Sequence, residues 1–240
     1  MKKRIFAILA ICIGLLGLFA GCKDKTTSME GTAYGLVHNA NYIGMAKLVI
    51  DNSGKITDAY LDEACLPHYV KAETTVASED MIEVGDNRYF KTVKYNKVTM
   101  TFDQEKNTYL IDGQDMKEYY KDESKAKEYY LAVEQNILLV TLNGNDTKDV
   151  LTADKLMKSR NGYWKEGTFG KGWKANRDAT INYVKANGLS NLPLEKGNSG
   201  AWIDSKGIDT GATWVDMSGT KEGFVSYLDL LKKANNAIKK

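Results

Sequence analysis

The run Asp209-Thr210-Gly211-Ala212-Thr213-Trp214 joins a hydroxyl to a backbone able to present it. Glycine enters left-handed or tight conformations that other residues resist, so Gly211 permits a sharp turn. Ala212 adds almost no bulk. Thr213 then carries its hydroxyl on an uncrowded turn where a large group can reach it, which is what a covalent attachment site requires. Thr210 and Asp209 shape the turn from the N-terminal side. The competing reading is a plain turn that leads into a helix. The remaining chemistry-bearing residues are sparse. Cys65, Pro67 and His68 sit together, and His38 is the only other histidine. A metal centre needs more ligands at workable spacing, so a buried thiol and a half-buried imidazole in a loop are expected there. No nucleophile–base or acid–base set stands out, which favours a carrier over an independent enzyme.

The Thr210-Gly211-Ala212-Thr213 run resembles the attachment motif of the FMN-binding domain family. That family includes the flavin subunits of the sodium-translocating NADH:quinone oxidoreductase and of Rnf complexes, and extracytoplasmic flavoproteins. A second resemblance lies upstream. Glu30-Gly31-Thr32-Ala33-Tyr34-Gly35, then Met45 to Asp51, then Gly54-Lys55-Ile56-Thr57-Asp58-Ala59 are similar to the opening strands of such a domain. The resemblance implies an α+β fold, an antiparallel sheet packed with helices. It also implies FMN joined through its phosphate to the Thr213 hydroxyl by a separate flavin transferase that uses FAD. Gly211 and Ala212 would give access, with Thr210 and Asp209 shaping the turn. One departure is plain: the family's usual Asp, six residues before the acceptor, is here Gly207, and the nearest acids are Asp209 and Asp204.

The N-terminus reads as an export signal. Met1-Lys2-Lys3-Arg4 is basic, Ile5 to Ala20 is an uncharged apolar run, and Leu18-Phe19-Ala20-Gly21-Cys22 is close to a bacterial lipobox. Residues 1–21 are therefore expected to be a lipoprotein signal peptide, with Cys22 lipidated. Residues 22–30 form a polar tether, and 31–240 form one FMN-binding-like domain. The run is too short and too sharply ended for a confident membrane span. The expected location is the bacterial cell envelope, lipid-anchored on the extracytoplasmic side of a membrane. The expected partners are a flavin transferase and redox proteins of the envelope. The chain carries 33 basic and 31 acidic side chains, and three of the basic ones leave with the leader. The mature chain is thus near neutral and shows no nucleic-acid footprint. Of three cysteines, Cys12 leaves and Cys22 is lipidated, so Cys65 has no disulfide partner within the mature chain. The alternative function is a solute-binding or structural envelope lipoprotein without a redox cofactor.

The elements that must position these residues follow from periodicity. Residues 31–110 read mainly as a meandering antiparallel sheet. Tyr42 to Ile50 and Ile56 to Leu61 flank the turn residues Asn52-Ser53-Gly54. Val93 to Phe102 alternates, with a register change near Asn96-Lys97, and Tyr109 to Ile111 precedes an Asp112-Gly113 turn. Gln114 to Leu142 is rich in helix formers. Lys117-Glu118-Tyr119-Tyr120 recurs as Lys127-Glu128-Tyr129-Tyr130, which suits tyrosines that cover the sheet; the alternative sets one beside an isoalloxazine. Ile137 to Leu142 reads as core, and Asp149 to Ser159 as a short amphipathic helix. Gly162 to Trp173 interleaves aromatics with glycines. Such a loop either brings flat rings to a ligand, making Trp173 and Trp164 flavin neighbours, or plugs the core with them. Asn176 to Asn187 is a helix stopped by Gly188. After N-cap candidates Ser218-Gly219-Thr220, a last helix presents Phe224, Tyr227, Leu228, Leu231, Ala234 and Ile238 at helical spacing. It is expected to pack on the sheet and hold the attachment turn.

Overall fold

The structure, a computed structural model, describes residues 28–38, 41–66, 81–85, 87–137, 140–142, 145–146, 153–161, 172–191, 195–197, 200–213 and 221–238. Its class is α+β, with antiparallel sheets packed against helices. The first sheet is an antiparallel meander of β1 (Met29–Val37), β2 (Tyr42–Ile50) and β3 (Ile56–Cys65). Its second turn forms where the sequence places it. The Asp51 carboxylate accepts from the Ser53 amide at 2.8 Å and the Lys55 amide at 3.1 Å, and Gly54 takes φ +81°. A short hairpin follows, β4 (Met81–Val84) and β5 (Asn87–Phe90).

The second sheet is built from β6 (Thr92–Tyr95), β7 (Val98–Asp103), β8 (Thr108–Ile111) and β9 (Gln114–Asp115). The expected single meander is therefore corrected to separate sheets. The irregularity at Asn96-Lys97 is a hairpin turn rather than a register change within one strand. Asn96 there adopts φ +48°, which Asn tolerates better than most residues. The expected Asp112-Gly113 turn is present, with φ of +51° and +77°.

Helices α1 (Met116–Tyr119) and α2 (Glu123–Glu134) start at the side chains of Asp115 and Asp122, which accept from the amides of Lys117 and Ser124. Tyr120, Tyr129 and Tyr130 are buried, and the Tyr95 and Tyr120 hydroxyls are hydrogen-bonded to each other. The repeated tyrosines thus cover the sheets. Strands β10 (Val140–Leu142) and β11 (Asn145–Asp146) extend the second sheet beyond β6. Ile137 is 58% exposed and is no part of the core, because it follows the positive-φ Asn136 that ends α2. The helix expected over Asp149 to Ser159 is shorter, α3 (Ala153–Leu156); residues 149–152 lie outside the described residues.

Helix α4 (Gly172–Asn187) begins before Asn176 and takes in Trp173, which therefore leaves the expected loop. Gly188 stops it as expected, at φ +74°. A small sheet of β12 (Glu195–Lys196), β13 (Ala201–Ile203) and β14 (Asp209–Thr213) follows, and α5 (Lys221–Ile238) closes the chain. Helix α5 packs on β1 and β2, and its Tyr227, Leu228, Leu230, Leu231 and Ala234 are buried. The element packed on β14 is α4, which also runs along β3. The strand that carries Thr213 is thus held by α4, whereas the sequence leads one to expect α5 in that role. Residues 214–220, including the expected N-cap, lie outside the described residues, and so do Pro67 and His68.

Close approach of α5 explains Gly31 of the upstream stretch. A Cβ there would lie 2.1 Å from the Ala234 carbonyl oxygen and 2.6 Å from Ile238 Cγ1. The first is backbone and cannot swing away. Gly31→Ala is expected to destabilise the protein by about 1–3 kcal/mol through overpacking, read as a lowered urea midpoint at constant slope. An unchanged midpoint would mean that α5 does not cross β1 this closely.

Candidate functional site

The Thr213 site is assembled by the β13–β14 hairpin and one face of α4. Asp204 makes the hairpin turn. Its buried carboxylate accepts from the amides of Lys206 and Ile208, both at 2.8 Å, and from the Tyr183 hydroxyl at 2.7 Å. Gly207 completes the turn at φ +79°, a conformation that an Asp would adopt only under strain. The residue that departs from the family pattern is thus a turn glycine. Asp209 is exposed, and its carboxylate accepts from the Gly211 amide at 2.6 Å.

Gly211 adopts φ +73° beside an irregularity in the β13–β14 register, and a Cβ there would lie 3.4 Å from the Ala179 side chain. The left-handed backbone expected of Gly211 is present, but inside a strand. Thr210 and Ala212 are buried. Thr213 ends β14 half-buried, so its hydroxyl is less open than an uncrowded turn would leave it. The amide of Thr213 donates to Asn176 Oδ1 at 2.6 Å, and its hydroxyl donates to the same oxygen at 3.2 Å. Asn176 is fully buried, and its Nδ2 donates to the Gly172 carbonyl at 2.8 Å. That bond fixes which end of the amide faces Thr213. The Thr213 hydroxyl is therefore oriented by a neutral amide oxygen from α4. By sequence alone, Asn176 stands out only as the start of a helix.

Trp173 lies one turn before Asn176 on α4 and is 1% exposed. It is a core residue, and its indole faces Glu63 and Tyr227. Trp164 lies outside the described residues, as does Cys22. Behind Trp173 is a buried polar cluster that the sequence reading missed. Lys158 Nζ lies 2.5 Å from Glu63 Oε1. The Tyr227 hydroxyl donates to both Glu63 oxygens at 3.0 Å and meets His38 Nδ1 at 3.2 Å. The imidazole must then present Nδ1–H to the phenol oxygen. Burial, and then the Lys158 charge, lower the His38 pKa to about 3, so the ring stays neutral near pH 7.

The cluster is built by a strand-like attachment of the segment after α3. Met157 bridges Ala64, the Lys158 amide donates to the Glu63 carbonyl at 3.0 Å, and both the amide and hydroxyl of Ser159 donate to the buried Asp62 carboxylate. Adjacent acids, Asp62-Glu63, in the half of β3 that runs on into Ala64 and Cys65 are the available signal. Cys65 is buried as expected; burial pushes its thiol well above the usual range, so it is no nucleophile. Among the described residues, no group of three or more His, Cys, Asp or Glu converges on a metal site, and no helix is long and apolar enough to cross a membrane.

A cleft of about 350 Å³ lies between the β2–β3 turn and the C-terminal end of α4, lined by residues that include Lys55, Lys185 and Leu189. Lys185 is nine residues beyond Asn176, roughly 14 Å along the helix. The cleft is therefore separate from the Thr213 contact. Compared with protein-family models, with curated proteins and with solved structures, the chain matches none.

Proposed function

We propose that this chain is a lipid-anchored flavoprotein of the bacterial cell envelope, carrying FMN as a phosphoester on Thr213 and passing electrons between envelope redox partners. The observation that supports it is the pair of hydrogen bonds from Thr213 to Asn176 Oδ1. They hold a specific hydroxyl at the end of a strand whose Thr-Gly-Ala-Thr run resembles a flavin attachment motif. The group supplies reversible redox chemistry when bound. The protein's own part is to hold and orient. Asn176 accepts from the Thr213 hydroxyl and so points the oxygen lone pairs away from α4. Gly211 and Asp209 set the strand irregularity that brings Thr213 to Asn176, while buried Ala212 and Thr210 anchor the strand on either side of Gly211. A covalent bond suits a carrier outside the cell, where a dissociated cofactor would be lost.

The test is co-expression of the full chain with a flavin transferase, followed by denaturing electrophoresis, in-gel fluorescence and intact mass, beside Thr213→Ala and Thr213→Ser. The expected result is a mass gain of FMN less water and a fluorescent band in the wild type. Thr213→Ser keeps the label and Thr213→Ala loses it completely. A wild-type protein that folds, stays colourless and gains no mass would overturn the reading and favour a ligand-binding lipoprotein without redox chemistry. Fluorescence that washes out on denaturation would retain flavin binding and remove Thr213 as acceptor.

A further inference from the structure

The Glu63–Lys158 contact takes no part in holding a group on Thr213, yet its chemistry is unusual. Lys158 is 1% and Glu63 0% exposed at the side chain, with Nζ and Oε1 2.5 Å apart. Nζ lies 4.3 Å from the centre of the Tyr42 ring and 5.7 Å from that of Trp173. The backbone on both sides is fixed, because the Lys158 amide donates to the Glu63 carbonyl and Met157 bridges Ala64. A phenol hydroxyl, that of Tyr227, sits 3.0 Å from each carboxyl oxygen, backed by His38. An amine, a carboxyl and a hydrogen-bond donor are thus held together in a water-poor interior.

We propose that Glu63 and Lys158 condense to an intramolecular isopeptide bond between Nζ and Cδ, joining β3 to the segment after α3. Burial disfavours both charges, moving the carboxyl up and the ammonium down in pKa, and so favours transfer of one proton from Lys158 to Glu63. The neutral amine then attacks Cδ of the carboxylic acid. The new N–C bond pushes an electron pair onto the carbonyl oxygen, and the Tyr227 hydroxyl donates its hydrogen bond to that developing oxyanion. The nitrogen gives a proton to the leaving hydroxyl, the Cδ–O bond breaks, and one water departs. No electrons are lost or gained, and no cofactor or co-reactant is needed. Fixed geometry replaces a bimolecular encounter with an internal one, which is how an amine and an acid can condense without activation. The described cysteine, Cys65, is free, so this bond would supply the long-range staple that the fold otherwise lacks. It would limit the unfolded chain between residues 63 and 158 as a disulfide would.

The test is a tryptic map of the purified full chain after denaturation. The expected result is one branched product in which the peptide containing Glu63 is joined to the peptide containing Lys158. Its mass is below their sum by one water, about 18 Da, and cleavage after Lys158 is lost. Fragment ions should place the link at Glu63 and Lys158. Glu63→Leu and Lys158→Arg should each abolish the product; Glu63→Gln is avoided because an amide can give the same bond with loss of ammonia. Recovery of two separate peptides at their sequence masses, with full cleavage after Lys158, would overturn the proposal and leave an ion pair. The wild-type digest decides by itself, so the outcome does not depend on whether a variant folds.

Discussion

Replacing Leu228 and Leu231 together by Asp is expected to abolish the cooperative thermal transition. Both side chains are essentially fully buried in α5, the helix that packs on β1 and β2 through Leu230 and Ala234, with Leu228 beside Tyr183 and Leu189 at the end of α4. Beneath that helix the sheet offers glycines. A Cβ at Gly44 would lie 2.9 Å from Leu230 Cδ2, and one at Gly35 would lie 3.5 Å from Leu230 Cδ1. Helix side chains and Val37 of β1, 2.8 Å from the Gly44 Cβ position, therefore fill the space over these glycines. Each leucine removed forfeits about 1.5–3 kcal/mol of burial. Each carboxylate forced into that site costs several more, whether it stays charged or takes a proton. Two such changes together match the roughly 5–15 kcal/mol that holds an ordinary domain together. The control is Lys233→Asp on the exposed side of the same helix, expected to melt within a few degrees of wild type. Circular dichroism on heating reads both. A double variant with an intact, cooperative melt would show that α5 is not seated as described.

The same helix shows what the sequence could and could not disclose. Its apolar residues recur at helical spacing, and that pattern follows from burial on one face, so Tyr227, Leu228, Leu231 and Ala234 were legible in advance. The hairpins at Asn52-Ser53-Gly54 and Asp112-Gly113 were legible because positive φ demands particular residues. Which surface each helix meets is set by contacts far apart in the chain, and local periodicity holds no record of that. Hence periodicity alone places α5 against the Thr213 strand, which α4 in fact holds. Trp173 fits either a ligand loop or the core by sequence, because the glycines on its N-terminal side hide the start of α4. The candidate site divides in the same way. Gly211 and Thr213 stand out because their types and spacing are local. Asn176, 37 residues upstream, does not, since nothing in a helical sequence marks one buried amide as a partner of a distant strand. The Glu63–Lys158 cluster was hidden for the same reason: a lysine reads as solvent-facing until its partner is known.

That cluster makes the second large effect, and its pH dependence gives the mechanism away. Lys158→Met keeps the length of the side chain and removes its nitrogen, so a buried carboxyl is left at Glu63 whether the wild-type contact is ionic or amide. Orphaning a buried charge in this way costs about 3–5 kcal/mol near neutral pH. Burial already raises the Glu63 pKa with Lys158 present, Lys158 being the main group that lowers it; without that cation the pKa rises further. The folded variant thus keeps a proton that the unfolded chain releases near its ordinary value of 4.5. Where the native state binds more protons than the unfolded state, stability falls as pH rises. The deficit should therefore be smallest below pH 4.5 and grow upward from there. Its slope approaches about 1.4 kcal/mol per pH unit until the folded-state pKa is reached. Urea titrations of Lys158→Met at a series of pH values measure that slope. Adding Glu63→Leu should remove it, because the titrating group is gone. A deficit independent of pH would mean that the loss is one of packing around Tyr42 and Trp173, and that Glu63 reaches water once Lys158 is removed.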